Sequence, residues 1–388
     1  MDMELIATAT FGLEAVVRRE IENLGYDIVK TEDGKVTYKG DFKAIVKSNL
    51  WLRAADRVLL KMGETKGSTF EELFQYTKTL PWEDIIPADG CFVVSGTTVK
   101  SKLSSLPAVQ RTIKKAIVER LCDVYGEDLP ETGAEYPVRF TLLKDILTIS
   151  IDTSGRGLHK RGYRVKTVEA PIKETLAAAL VELSFWRGNR ILVDPCCGSG
   201  TIPIEAAMIG RNIAPGLTRD FVCSRWECIN EDIWKSEKKN AYEAINTEGQ
   251  LDIRGFDIDP RAIESAIENG EAAGVDGDIQ FERKNISSLR IPDDGAVIVT
   301  NPPYGERIGS KDEVRIVERS LKRIFNEKRT TSLFVITSDK DFEKKMRRKA
   351  DRRRKLFNGR IETTYYQFHG EKSYAQVHAP LKSDKTDR

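Results

Sequence analysis

The second half of the chain alternates short apolar runs with helical segments, and this alternation restricts the possible folds more than any other feature. The predicted strands lie at 191–193, 253–256, 296–299 and 333–336. The predicted helices lie between them, at 202–209, 260–270 and 313–325. Strands separated by helices usually pair in parallel and are buried on both faces. The pattern therefore predicts a doubly wound α/β sheet.

The end of this region departs from the pattern of a dinucleotide dehydrogenase. Residues 355–357 and 361–368 are two strand-like runs on either side of Asn358-Gly359, the strongest hairpin signal in the sequence. We therefore expect the parallel sheet to finish with an antiparallel hairpin, in a domain spanning residues 165–385.

The first 160 residues predict two smaller α/β units. Residues 1–62 have the order βαββαβ, which is ferredoxin-like, and residues 63–68 have the composition of a linker. Residues 63–160 include that linker, a helix at 70–79 and a long helix at 106–124 with apolar residues at three- and four-residue spacing. Neither unit has a catalytic constellation, so both are interpreted as a binding platform.

Composition narrows the class of protein. The chain has 62 Lys or Arg and 60 Asp or Glu, a formal net charge of +2. No apolar run approaches the roughly 18 residues that span a bilayer, and the acidic N-terminus does not resemble an export signal. Six cysteines and three histidines in 388 residues indicate neither a disulfide framework nor a zinc site. We therefore expect a cytoplasmic protein with no membrane partner and no metal.

The charge is unevenly distributed along the chain, because the sequence contains two basic runs. Residues 340–360 contain eleven Lys or Arg against three Asp or Glu, and residues 156–166 mix cations with glycines and a tyrosine. Such runs form either a solvated surface or a contact surface for nucleic acid, because local charge matters more than the total. The second interpretation predicts an RNA or DNA partner.

A glycine-rich loop follows the first strand of the predicted parallel sheet. In an open α/β sheet, ligands bind beyond the carboxyl ends of the strands. The loop differs from G-x-G-x-x-G and has no P-loop lysine, so it disfavours NAD and ATP. Its candidate ligand-binding residues are Asp194, Cys196, Gly198, Ser199, Gly200 and Thr201.

The next strand ends at a second candidate ligand contact. Asp257 lies where an acidic side chain commonly binds two ribose hydroxyls, and Ile258 could lie against an adenine ring. Asp259 precedes Pro260 and is expected to cap the following helix. The segment 211–250, which contains Trp226 and Trp234, is an insertion before this strand that borders the site or packs in a core.

A third loop, Asn301-Pro302-Pro303-Tyr304-Gly305, directly follows the strand at 296–299 and Thr300. The two prolines remove two backbone donors and stiffen the loop. The remaining acceptors, the Asn301 side-chain oxygen and the Pro302 carbonyl, suit an exocyclic amino group. Tyr304 offers a flat surface for a base extruded from its stack.

These loops together resemble a class I S-adenosylmethionine-dependent methyltransferase of the N-P-P-Y type. The whole chain resembles the bacterial guanine-N2 methyltransferases of 23S rRNA, which contain a THUMP RNA-binding domain. Residues 158–164, 170–177 and 354–359 look characteristic of that group. The resemblance places adenine contacts after the third strand of that family's fold, which corresponds here to Asn285 and Ile286. Here an amide stands where these folds often have an acid, although an amide can also accept the hydrogen bond.

The resemblance implies an enzyme that forms N2-methylguanosine in 23S rRNA or its precursor, with Asn301, Pro302, Pro303 and Tyr304 holding a flipped base. S-adenosylmethionine would be the cofactor, and residues 63–160 would bind RNA. Two alternatives stay open at this point: methylation of adenine or of protein glutamine, and a non-catalytic RNA-binding assembly factor.

Overall fold

The computed structural model describes residues 3–126, 129–166, 171–291, 295–304, 311–327 and 330–371. Its contacts divide the chain into two units. The first unit contains Met1–Arg161 and Ile213–Ile245, and the second contains Gly162–Asn212 and Asn246–Arg388. The C-terminal residues 372–385 of the predicted third domain, and Gly305 of the predicted third loop, lie outside the described residues.

The regular elements are as follows in chain order. Up to residue 152 they are β1 (Met3–Ala9), α1 (Glu14–Asn23), β2 (Ile28–Glu32), β3 (Lys35–Gly40), α2 (Phe42–Trp51), β4 (Ala55–Lys66), α3 (Phe70–Thr79), β5 (Val94–Val99), α4 (Leu106–Tyr125), β6 (Val138–Leu143) and β7 (Ile146–Asp152). After residue 152 they are α5 (Glu174–Leu183), β8 (Leu192–Asp194), α6 (Thr201–Gly210), α7 (Glu231–Glu243), β9 (Ile253–Asp257), α8 (Pro260–Ala273), β10 (Ile279–Arg283), β11 (Val297–Thr300), α9 (Lys311–Glu327), β12 (Ser332–Thr337), α10 (Phe342–Met346), β13 (Arg352–Asn358) and β14 (Ile361–Phe368).

The predicted linker at 63–68 is wrong for its first four residues, because β4 continues through Lys66. The first half of β4 pairs with β1 and its second half pairs with β7. One seven-stranded sheet therefore runs through both predicted N-terminal units, in the order β2-β3-β1-β4-β7-β6-β5. The polar residues of β4 have cross-strand partners, since the Glu64 carboxylate accepts a 3.0 Å hydrogen bond from the Thr148 hydroxyl.

Most of the insertion at 211–250 belongs to the first unit. The contacts of its two tryptophans decide whether they border the site or pack in a core. Trp226 stacks on Tyr136 with ring centroids 4.9 Å apart and donates a 2.8 Å hydrogen bond to the Glu135 carbonyl. Trp234 stacks on Phe221 at 5.7 Å. Both tryptophans are buried, so these aromatic residues pack in a core.

The second unit is built on the predicted doubly wound sheet. Its strand order is β10-β9-β8-β11-β12-β14-β13. The first five strands are parallel, and β14 is antiparallel to both β12 and β13. The predictions of a parallel sheet and of an antiparallel terminal hairpin are therefore confirmed. The core on one face of this sheet includes Ile298, Leu333, Val335, Tyr366 and Phe368.

Two composition-based expectations concern membranes and metals. Among the described residues, no helix is both long enough and apolar enough to cross a membrane. The same residues contain no group of three or more His, Cys, Asp or Glu side chains that could hold a metal ion. All six cysteines are free thiols.

Candidate active site

The structure brings together the three loops singled out from the sequence. Their strands β8, β9 and β11 are neighbours, so the loops leave the same edge of the sheet. The Thr300 hydroxyl donates a 2.7 Å hydrogen bond to Asp194 Oδ1, which joins the ends of β11 and β8. The Gly198 N–H donates a 3.0 Å hydrogen bond to Asp257 Oδ2, which joins the glycine loop to the end of β9.

The glycine loop depends on residues without a Cβ atom. Gly198 and Gly200 have φ angles of +53° and +80°, which other residues adopt only with strain. A Cβ on Gly200 would lie 2.8 Å from the Phe281 ring, so space as well as conformation requires glycine there. Gly200 is the residue before α6, and Thr201 is the first residue of that helix. Ser199, between the two glycines, is buried.

Burial controls the ionisation of Asp194. Burial raises the pKa of this carboxyl, hydrogen bonds from Thr300 and the Cys196 N–H oppose the shift, and the nearby Asp257 adds a smaller increase, so that the resulting pKa is about 7. Burial also raises the pKa of the Cys196 and Cys197 thiols well above their usual range. Neither thiol is therefore suited to act as a nucleophile.

The raised pKa of Asp194 predicts a pH-dependent stability. The pKa of an aspartate in an unfolded chain is about 3.9, so the folded protein binds this proton more tightly. Its stabilising contribution is complete below pH about 4 and is lost as the pH rises through about 7. Asp194→Asn cannot titrate. Between pH 5 and 8 the free energy of unfolding of the wild type should fall by about 1–3 kcal/mol relative to the variant. Denaturant unfolding without cofactor measures this difference, and parallel curves would contradict it.

Asp257 keeps acceptor capacity for a ligand. Its Oδ2 accepts from the Gly198 N–H, and its Oδ1 accepts from the Asp259 N–H at 3.0 Å. Each carboxylate oxygen can accept a further hydrogen bond. The next side chain, Ile258, is 60% exposed and is available to a ring. Asp259 caps α8 through a 2.9 Å hydrogen bond from the Arg261 N–H, as predicted.

Asn285 and Ile286 follow β10, at the same edge of the sheet. Asn285 Oδ1 accepts a 2.9 Å hydrogen bond from the Ser287 N–H and begins a short 3-10 turn, whereas the Ile286 side chain is buried in the core. Arg323 of α9 donates to the carbonyls of Ile286, Ser287 and Leu289. The loop is thus held in place, and contact of Asn285 and Ile286 with adenine stays a prediction.

The third loop presents a buried acceptor and an anchored aromatic ring. Asn301 Oδ1 is buried and has no hydrogen-bond partner in the described part of the chain. The Tyr304 hydroxyl accepts a 2.9 Å hydrogen bond from Asn358 Nδ2, and burial raises the pKa of Tyr304. Pro302, Pro303 and Tyr304 also line a cavity of about 290 Å³ together with residues of α9, α10 and the end of β12.

The basic run at 156–166 is only partly on the surface, where Arg156, Lys160 and Lys166 are exposed. The buried Arg161 donates to the carbonyls of Leu158 and Arg53, and the buried Tyr163 hydroxyl donates to Glu205. Arg164 is only 15% exposed and forms an ion pair with Glu174. Charge in a sequence does not reveal which arginines are used internally, and contact of the exposed part of this run with nucleic acid stays a prediction.

Arg164 is a candidate site residue that the sequence did not reveal. Its Nη2 donates to Thr201 Oγ1 at 3.2 Å and to the Ile172 carbonyl at 2.9 Å, so the guanidinium lies beside the glycine loop. Its Nη1 is buried and has no partner among the residues that the structure describes. In the sequence this arginine belongs to the basic run and to the stretch 158–164 that looks characteristic of the resembled group, and neither feature assigns it a contact.

The basic run at 340–360 is on the surface. Ten of its eleven cations are exposed, the exception being the partly buried Arg354. Five of the exposed ones form no ion pair with any described residue: Lys340, Arg347, Lys349, Arg352 and Arg360. This surface has the excess positive charge that a phosphate backbone requires.

Family models match most of the chain. The model described as "RMKL-like, methyltransferase domain" matches residues 161–367. The model of the RlmL ferredoxin-like domain matches residues 4–59, and the THUMP domain model matches residues 67–152.

Each of three similar proteins matches more than nine-tenths of this chain. A candidate RNA methyltransferase of Bacillus subtilis, YpsC, is 49% identical over 94% of this chain and 95% of its own. The ribosomal RNA large subunit methyltransferase K/L of Syntrophotalea carbinolica is 33% identical over 94% of this chain, which spans only 53% of that relative. The solved structure of SMU.472, a candidate methyltransferase complexed with SAH, superposes with a TM-score of 0.91 at 43% identity, covering 96% of this chain and 99% of that one.

Proposed function

The chain belongs to the RMKL-like methyltransferase family, and from this premise we propose that it methylates the exocyclic N2 amino group of a guanine in 23S rRNA. It is an S-adenosylmethionine-dependent RNA methyltransferase with ferredoxin-like, THUMP and methyltransferase domains in that order. The base and the rRNA are the proposal. The name of the K/L relative supports large-subunit rRNA as the substrate.

The buried Oδ1 of Asn301 carries the proposal for an amino group. A buried acceptor without a donor is destabilising, so the geometry favours a ligand that brings an N–H to it. Pro302 and Pro303 have no backbone N–H, so neither can donate a hydrogen bond to the Asn301 oxygen in place of a ligand. A guanine N2 group brings two N–H donors and a flat ring for Tyr304. The N6 amino group of adenine and the side-chain amide of protein glutamine also present donors, but the THUMP domain and the exposed basic run favour RNA over a protein substrate.

In this function the protein aligns the reactants and stabilises charge. S-adenosylmethionine supplies a methyl group activated by the positive charge on its sulfur. Asn301 Oδ1 and the Pro302 carbonyl accept hydrogen bonds from the two amino hydrogens of guanine, which orients the N2 lone pair. The same contacts strengthen as positive charge develops on nitrogen. Tyr304 holds the base against its ring, and the N2 proton leaves after the transfer.

The residues at the glycine loop fit this cofactor. Asp257 retains two acceptor positions for the ribose hydroxyls, and Ile258 exposes an apolar surface for adenine. The positive φ of Gly198 and Gly200 lets the main chain approach the ligand closely. The unpartnered Nη1 of Arg164 suits the carboxylate of the methionine moiety, because a guanidinium keeps its charge and pairs well with carboxylates.

Arg164→Gln should weaken binding of S-adenosylhomocysteine about tenfold and have little effect on an analogue without the carboxylate. One charge-assisted hydrogen bond contributes about 1.5–3 kcal/mol, which corresponds to tenfold or more. Calorimetry on the two ligands measures the difference. Arg261→Gln, which removes an equal charge from the exposed start of α8, is the control and should keep the preference of the wild type. If Arg164→Gln lost the same affinity for both ligands, the carboxylate of the methionine moiety would have to bind at another residue.

The substrate is tested by nucleoside mass spectrometry of rRNA from a strain that lacks this protein. The expected result is the loss of one N2-methylguanosine from 23S rRNA and its return when the gene is restored. Loss of a methylated adenine, or an unchanged rRNA, would refute the guanine target. A 23S rRNA substrate also implies that the protein works in the cytoplasm.

A further inference from the structure

Asn358 stands where the hairpin turn does not need an asparagine. It is the last residue of β13 and pairs with Ile361, so the connection between the strands consists of Gly359 and Arg360. The positive φ of this connection falls on Gly359, at +63°, and Asn358 keeps the extended conformation of the strand. Asparagine is unfavourable in strands. The usual reason for Asn in an Asn-Gly hairpin therefore does not apply.

The Asn358 side chain instead reaches the N-P-P-Y loop. Its Nδ2 donates a 2.9 Å hydrogen bond to the Tyr304 hydroxyl, 54 residues away in the sequence. Strands β12 and β14 lie between β11 and β13 in the sheet. Since β14 is antiparallel to both of its neighbours, the carboxyl end of β13 lies at the same edge as the loop after β11. The bond thus links the outermost strand to the loop at the active site.

We propose that Asn358 is a positioning residue, which fixes the Tyr304 ring so that the target base can stack on it. The proposal rests on the proposed function, in which Tyr304 packs against a flipped base. A tyrosine held only at its Cβ side can rotate its ring, whereas a hydrogen bond at the hydroxyl fixes the far end of the ring as well. A ring that is already fixed loses less conformational freedom when the base binds. Asn358 itself touches no reacting atom.

A double-mutant cycle on the full-length protein separates this role from simple support of the hairpin. Asn358→Ala removes the donor, and Tyr304→Phe removes the acceptor while it keeps the aromatic ring. Both changes break the same hydrogen bond. If the bond positions the ring, the double variant should be no slower than either single variant. If Asn358 only stabilises the hairpin, the two effects should multiply.

The measurement is the single-turnover rate of methyl transfer to 23S rRNA. Each single variant is expected to be about fivefold slower than the wild type, the value of one neutral hydrogen bond, and the double variant should also be about fivefold slower. Affinity for S-adenosylhomocysteine should stay the same in all three. Ile361→Val, which changes the hairpin partner of Asn358 without changing the hydrogen bond, should keep the wild-type rate within twofold.

Two results would overturn the proposal. One is a double variant that is about 25-fold slower, since independent effects multiply. The other is a Tyr304→Phe rate equal to that of the wild type, a result that stands even if Asn358→Ala proves unstable. Digestion of the labelled RNA to nucleosides identifies the methylated base in the same samples. A base other than guanine would refute the proposed substrate, and the cycle would still decide whether Asn358 positions Tyr304.

Discussion

Replacing Asn301 with alanine is expected to slow methyl transfer by about 100- to 1,000-fold. The Asn301 side-chain oxygen is a buried acceptor without a partner in the described residues, and the proposed function assigns the N2 hydrogens of guanine to it. This contact strengthens as the nitrogen becomes positive, so its loss raises the barrier more than it weakens binding of the ground state. Removal of one comparable transition-state contact typically costs about 10²–10³ in rate.

Single-turnover kinetics on 23S rRNA with saturating cofactor measures this effect. Asn301→Asp is the matched variant, because it keeps an acceptor at the same position and should therefore retain more activity than Asn301→Ala. Affinity for S-adenosylhomocysteine should be nearly unchanged in both variants. An Asn301→Ala rate within threefold of the wild type would exclude the proposed role.

The second large effect is expected from Asp257→Ala, which should weaken cofactor binding about 100-fold. The two oxygens of Asp257 each accept one backbone N–H and have capacity for one ribose hydroxyl. Two hydrogen bonds to a charged group contribute at least about 3 kcal/mol, and every 1.4 kcal/mol is tenfold in affinity. The loss of the bond from Gly198 adds to the effect, because it loosens the glycine loop.

Calorimetry with S-adenosylhomocysteine tests this expectation. Asp259→Asn is the control, because Asp259 lies two residues away and caps α8 without a place in the proposed cofactor contacts. It should keep the affinity of the wild type. The melting temperature of each variant without ligand shows whether the fold is intact. An unchanged affinity in a folded Asp257→Ala variant would remove this residue from the site.

Periodicity predicted four of the five parallel strands of the second unit and its terminal hairpin, but it did not mark β10. Buried runs such as Val297–Thr300 and Ser332–Thr337 are short and apolar, as central strands are, and the helices between them favour parallel pairing. The N-terminal strand β4 was harder. Its polar second half, with Gly63 and Glu64, has the composition of a linker, and composition does not report that β7 supplies a pairing partner.

The candidate site likewise contains residues that the sequence predicts and residues that it does not. Asp194, Asp257 and Asn301 could be found because each lies at or just after the carboxyl end of a strand, and these ends of parallel strands meet at one edge of the sheet. Arg164 and Asn358 could not be assigned, because their partners Thr201 and Tyr304 are 37 and 54 residues away. A basic run and a hairpin signal offered simpler explanations of these two residues. Contacts of this kind depend on tertiary packing, which a local pattern does not contain.

The most direct test of the guanine-N2 assignment is methylation of 23S rRNA by the purified full-length protein with S-adenosylmethionine that carries a deuterated methyl group. Mass spectrometry of the digested RNA should find the label in N2-methylguanosine at one position. A second transcript has inosine at that position, which lacks only the N2 amino group, and it should acquire no label there. Label in a methylated adenosine, or undiminished labelling of the inosine transcript, would contradict methyl transfer to guanine N2.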